Sequence, residues 1–277
     1  MEASTSAQLP PVVKIPALYA DPWYMITVLG IYLYFVTVAG PQTMTFKLSR
    51  PYSFMEWRKP YGLKRLILVH NLIQVVSCVY VIKEVLYITD HNIYFFWKCR
   101  KMDSNPEIVQ RYFSLAYFLF WLKISELIET VIFVLRKKQN QVSKLHVFHH
   151  LSTVTLVYVL INLNTNGDSA YYCVFLNSIV HVIMYSYYFV AAVADKTVLE
   201  ALTPVKKGIT VIQMTQFALI LAQVLYQEFF CGMTLPVFLY FTTVIAGMFY
   251  GFYNFYNSAY QVEQRRKSLT AAADSGK

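Results

Sequence analysis

LHVFHHLSTVTLVYVLINL, residues 145–163, contains no Asp, Glu, Lys or Arg and opens on three histidines. An apolar run of about 20 residues is what a helix needs to cross a bilayer. His146, His149 and His150 stand at i, i+3 and i+4, so their rings project over about 100° of one helix face. A lone intramembrane histidine is usually a packed, hydrogen-bonded core residue. Three on one face at the end of a span are poorly explained by packing and point to chemistry.

Outward from this stretch, further apolar runs cover roughly 23–40, 65–88, 112–135, 171–191, 208–228 and 235–258, so the sequence predicts seven transmembrane helices. Composition agrees. Charged residues make up 14% of the chain and hydrophobic ones 57%, against about 25% charged for a soluble domain. The net charge of +9 does not indicate nucleic acid, because the basic residues fall in short clusters between apolar runs. Residues 1–20 are Pro-rich and lack the charged and apolar regions of a signal peptide. They are expected to form a flexible tail, followed by one membrane domain over 21–268 and a second flexible tail over 269–277.

The loops at 41–65, 136–145 and 192–207 and the C-terminal tail hold 17 of the 24 Lys and Arg residues, the opposite side five. Positive-inside logic puts the N-terminus in the lumen and the C-terminus in the cytosol. Cys99 and Cys231 then share an oxidising compartment, where a disulfide between them is plausible. Cys78 and Cys173 fall within spans as buried thiols.

Ionisable residues inside a bilayer cost about 2.5–3.5 kcal/mol each at the helix centre. The third span contains KISELIET, with Lys123, Glu126 and Thr130 on one face and Glu129 at its edge. Alone it would pass for a self-neutralising Lys–Glu pair. The fifth, NSIVHVIMYSYY, aligns Asn177, His181, Tyr185 and Tyr188 in a stripe about 80° wide. The sixth, KKGITVIQMTQF, places Thr210, Gln213 and Gln216 within about 120°; glutamines of this kind ordinarily join helices. Counted from one end, these residues describe a polar chamber reaching mid-membrane. Arg136, Lys138, Lys206, Lys207 and Arg265 would ring its mouth, as a phosphate-bearing ligand requires.

LHVFHH, KxxExx(E)T, NxxxHxxMYxYY and KKxxTxxQxxQF, in this order and spacing, resemble the very-long-chain fatty acid elongases, the ELO condensing enzymes, over about residues 20–268. The resemblance implies an all-α membrane fold in which helices 2–7 form a barrel around an acyl tunnel. It implies residence in the endoplasmic reticulum and condensation of a long-chain acyl-CoA with malonyl-CoA. The product is a 3-ketoacyl-CoA two carbons longer, with release of CO₂ and CoA. No cofactor or metal is implied beyond the malonyl-CoA co-substrate. The partners are the other enzymes of the elongation cycle, and homodimers fit the family.

By resemblance, His146, His149, His150 and His181 are the catalytic histidines. Lys123, Arg136, Lys138, Gln141, His146, Tyr187, Lys206, Thr210, Gln213 and Arg265 match positions that hold CoA, and Cys99 and Cys231 match a family disulfide. Gln141 resembles the pattern of elongases that accept polyunsaturated chains. Glu129 stands where the family usually has Asp, and the terminal SGK lacks a dilysine retrieval signal.

No cysteine sits among the motif residues, which leaves imidazole as the nucleophile available to form an acyl-imidazole. His149 is expected to be that nucleophile, with His150 its close competitor and His181 acting on malonyl-CoA. Asn177 and Tyr185 are expected to fix histidine tautomers, and Lys123, Glu126, Glu129 and Thr130 to support the imidazoles from behind. A di-iron desaturase or hydroxylase is disfavoured, because four clustered histidines, with His70 and His91 outside the cluster, are too few ligands for two irons. A seven-helix receptor or transporter is the non-enzyme alternative.

Overall fold

A computed structural model of the chain describes residues 19, 21–45, 61–99, 105–163 and 168–275, and no strand occurs among them. Each long apolar run is helical, the form that satisfies backbone N–H and C=O groups within one segment where lipid offers no partner. The long helices are α1 Pro22–Tyr34, α2 Tyr61–Ile88, α3 Pro106–Leu135, α4 Lys144–Leu163, α5 Asp168–Val193, α6 Thr203–Cys231 and α7 Leu235–Ser275. A π-helical turn, Phe35–Ala39, and a short helix, Gly40–Thr45, extend α1. The short helix Lys196–Ala201 leads into α6.

Helix ends carry local signals. Asp21 caps α1 by accepting from the Trp23 amide at 2.9 Å, and Asn105 caps α3 by accepting from the Glu107 amide at 3.0 Å, each followed by proline. Gly232, at φ +69°, ends α6 in the left-handed region open to glycine.

The expected spans are present with longer ends, and α7 departs most, remaining helical to Ser275 through most of the segment expected as a tail. Six helices are long and apolar enough to cross a membrane: the α1 extension, α2, α4, α5, α6 and α7. The remaining expected span coincides with α3, whose 30 residues are long enough but include Lys123, Glu126 and Glu129. The all-α integral membrane class therefore holds. The basic residues Lys47, Arg50, Arg58 and Lys59 and the tail before residue 19 lie outside the described residues.

Neighbouring helices follow the order α2–α3–α4–α7–α6–α5 and back to α2, a closed ring of six, with α1 and its extension packed outside against α3 and α4. Gly247 and Gly251 of α7 face α4, where an added Cβ would meet Phe148 and Leu145 respectively. The small residues let the two backbones approach. Cys99 and Cys231 are joined by a disulfide that ties the segment after α2 to the end of α6. Beside it, Gln223 Nε2 donates to the Phe96 carbonyl at 3.0 Å.

Removing this cross-link should reduce stability by about 2–5 kcal/mol. Cys99→Ser, Cys231→Ser and the double variant should melt at one common, lowered temperature in detergent. Wild-type melting in all three would contradict a native bond.

Candidate active site

The site begins on the inner face of α3. Lys123 and Glu126 are one turn apart, and Lys123 Nζ donates to Glu126 Oε1 at 2.8 Å and to Asn177 Oδ1 of α5 at 2.9 Å. Glu126 is 0% exposed and Lys123 6%. Two charges at this depth persist only as a hydrogen-bonded pair, since removing either partner strands the other.

His181, also on α5, brings Nδ1 to 3.3 Å from the same Glu126 oxygen, at ion-pair distance but without hydrogen-bond alignment. One carboxylate thus lies between the lysine of its own helix and the imidazole of His181 on α5, across the α3–α5 interior.

The histidines of α4 enter from the other side. His146 Nε2 lies 3.0 Å from Thr130 Oγ1, which also accepts from the Tyr32 hydroxyl of α1 at 2.8 Å. His150 Nε2 stands 3.8 Å from Glu129 Oε2. His149 meets His150 edge-on, with centroids 5.3 Å apart, and Phe252 of α7 at 6.3 Å. His181 of α5 joins them through Tyr185, which stands edge-on to it with centroids 5.4 Å apart and brings its hydroxyl near Glu129. The four motif histidines are therefore gathered in one interior cluster.

Two expectations change. His70 of α2 does not lie outside the cluster: its Nε2 is 3.6 Å from Glu129 Oε1. Its signal in the sequence was HNLIQ, polar residues in an apolar run, of which His70, Asn71 and Gln74 are all buried. Nor do Asn177 and Tyr185 hold the imidazoles through hydrogen bonds among the described contacts. Asn177 serves Lys123, whereas Tyr185 packs edge-on against His181 and His70 with its hydroxyl near Glu129. The carboxylates are the groups beside the rings, because they reach farther than an amide one turn away.

The residues matched to CoA divide. Arg136 is half-buried and Lys138 and Gln141 are exposed in the α3–α4 connection, Lys206 is exposed at the start of α6, and Tyr187 is half-buried on α5. Thr210 is buried and donates to the Lys206 carbonyl, and Gln213 Nε2 reaches Met184 Sδ at 3.5 Å. Arg265 lies in α7 at a position whose side chain is outside the described residues. Lys123 is not at this rim but inside, between Glu126 and Asn177.

Glu129, His146 and His150 each offer one ligand atom, all within 4.8 Å of one another. That spacing suits a single small cation, with His146 already engaged by Thr130. Two irons would need more ligands than this group has.

Beyond the imidazoles lies a small apolar cavity of about 30 Å³ between α3, α4 and α5, lined by Leu119, Val157, Val174, Ala116, Ala170 and neighbours, with Tyr112 and Tyr171 toward its far end. Leu119, Val157 and Val174 are each seven residues from Glu126, His150 and His181, so the cavity starts about 10 Å deeper along the helices.

The ELO family profile, described as GNS1/SUR4, matches residues 17–268. The chain is 31% identical to a very long chain fatty acid elongase of Aedes aegypti over 87% of its length, spanning 64% of that relative. It is 34% identical to very long chain fatty acid elongase F of Drosophila simulans, over 76% of this chain and 75% of the other. Against the human very long chain fatty acid elongase 1 it is 31% identical over 90% of this chain and 85% of the other.

Lys123→Met should leave Glu126 buried and unpaired, lowering stability by about 3–5 kcal/mol. Lys123→Met combined with Glu126→Gln should recover most of that loss in a detergent melt. A Lys123→Met protein melting like wild type would show that the pair is not a buried charge pair.

Proposed function

The chain belongs to the ELO, GNS1/SUR4 family, and from this footing we propose that it condenses a long-chain acyl-CoA with malonyl-CoA, giving a 3-ketoacyl-CoA two carbons longer. The observation that carries this reading is the convergence of imidazoles from α4 and α5 on one interior, with an apolar cavity deeper along the same helices.

The chemistry follows from the groups present. A neutral imidazole nitrogen of His149 attacks the thioester carbonyl, the C–S bond breaks, and CoA leaves as thiolate, taking up the proton released from the ring. This splits one difficult step into two. Malonyl-CoA then loses CO₂, and the resulting enolate attacks the acyl-imidazole carbonyl, forming the new C–C bond and breaking the C–N bond; the departing imidazolate takes up a proton from water, which restores the neutral ring. Glu126 turns Nδ1 of His181 toward itself, which leaves Nε2 to face the incoming malonyl thioester and its developing enolate oxygen. Lys123 keeps Glu126 ionised for that task.

The acyl tail occupies the cavity beyond the histidines, where burial of methylenes supplies about 0.8 kcal/mol each. The CoA phosphates lie at the rim among Arg136, Lys138, Gln141, Lys206 and Arg265, with Tyr187, Thr210 and Gln213 below them. Those basic clusters support a cytosolic rim and an N-terminus in the lumen of the endoplasmic reticulum. A preference for polyunsaturated chains rests on Gln141. The product passes to the reductase and dehydratase steps of the cycle, and the protein works as a homodimer.

Expression in a host lacking the activity, fed a panel of acyl chains, tests the reaction: products two carbons longer should appear by mass spectrometry, and none of any length would defeat the reading. Without malonyl-CoA, purified protein should retain radiolabelled acyl groups. His149→Ala should abolish that label, while Cys78→Ala combined with Cys173→Ala keeps both label and elongation. Loss of label in the cysteine variant alone would move the nucleophile to sulfur. Filling the cavity with Ala170→Trp should shorten the longest product by at least one two-carbon unit; an unchanged product spectrum would place the acyl tail elsewhere.

A further inference from the structure

We propose that His70, on a helix that supplies none of the recognised motifs, is a positioning residue for the imidazole cluster, acting through Glu129 on His150. The inference rests on the condensing-enzyme reading above.

The inner face of α2 is polar where it meets the site. His70, Asn71 and Gln74 are buried at 8%, 4% and 0% exposure. Gln74 Nε2 donates to Ser125 Oγ of α3 at 2.8 Å, and Ser125 in turn donates to the Leu122 carbonyl. This fixes the register of α2 on α3, and one turn away it sets His70 opposite Glu129.

The Glu129 carboxylate then lies between two imidazoles from different helices. Oε1 is 3.6 Å from His70 Nε2, and Oε2 is 3.8 Å from His150 Nε2. His70 Nε2, Glu129 Oε1 and His150 Nδ1 are all buried without a hydrogen-bond partner. Three stranded polar atoms in a row would be costly in a purely structural core. They are what a site looks like when its hydrogen bonds tighten only around substrate.

Geometry assigns the direction. At 3.6 and 3.8 Å neither contact is a hydrogen bond in the resting site; as the site closes around substrate, Nε2–H of His70 is set to donate to one carboxylate oxygen and Nε2–H of His150 to the other. That fixes the His150 tautomer and leaves its Nδ1 lone pair toward the cluster. His150 is edge-on to both His146, at 4.4 Å, and His149, so its orientation sets the wall against which His149 works. Tyr185 packs edge-on against His70, centroids 6.1 Å apart, and restrains its ring. The length of Glu129 is part of the device, since aspartate is one carbon shorter and cannot approach both rings at once.

Steady-state kinetics of His70→Phe, His70→Gln, Glu129→Asp and His70→Phe/Glu129→Asp test the chain. His70→Phe should lower kcat about tenfold or more while the acyl-CoA KM stays within about twofold. His70→Gln, which keeps an N–H donor, should recover at least about a third of the wild-type kcat. The double variant should be no slower than the slower single, because both break one path. A wild-type kcat in His70→Phe, a change in KM alone, or additive losses would overturn the proposal. Exchange of the His150 ring C2 hydrogen, read by mass spectrometry, needs no turnover: its rate should change about threefold or more in His70→Phe, and an unchanged rate also overturns it. If wild type elongates nothing, the condensing-enzyme reading falls, while the exchange rates still decide whether His70 controls His150.

Discussion

A carboxylate with no exposure to solvent, Glu126, sets the terms for everything around it. At membrane depth an isolated carboxylate cannot stay ionised. Lys123 neutralises it from its own helix, and the same ammonium ties Asn177 of α5 to α3. The pair explains why α3 sits in a ring with its charged face inward, and why composition alone would not pass it as a span. At its other end α3 keeps its charge local as well: Arg111 meets Glu84 and Glu107, each at 3.2 Å, over the ring of Tyr87.

Function divides along the ring axis. Polar residues fill the layer of the histidines, and about two turns deeper the lining becomes leucine, valine and alanine. The proposed thioester substrate would need that division, because its reacting carbon wants oriented donors and lone pairs whereas its tail gains from an apolar slot. Closure matters equally. The glycines of α7 bring it against α4, so the helix bearing three histidines is held on both flanks, by α3 and α7. Rigid helices hold such a cluster better than loops would.

Much of this was legible in the chain because lipid makes polar residues conspicuous. Lys123, Glu126, His146, His149, His150 and His181 stood out as ionisable groups at helical spacing, and the structure gathers them. The partners were less legible. Asn177 and Tyr185 share a stripe with His181, yet lying on one helix face says nothing about which neighbour a side chain reaches across the interior. In the sequence His70 falls outside the cluster because a single histidine has no periodic companion of its own kind; only the register of α2 against α3, set by Gln74 and Ser125, shows that it faces Glu129. The C-terminal end of α7 runs past its expected boundary because a tail containing three consecutive alanines suits a continued helix as well as a flexible segment.

The central claim, that imidazoles from two helices close on a thioester whose tail runs down the ring, is tested most directly by an electron cryomicroscopy map of the protein with a non-hydrolysable acyl-CoA analogue. The account predicts the analogue's carbonyl within hydrogen-bonding reach of His149, its chain between Leu119, Val157 and Val174, and its phosphates at the basic rim. An analogue bound on the outer surface, or a chain running between the helices and lipid while the cavity stays empty, would contradict it.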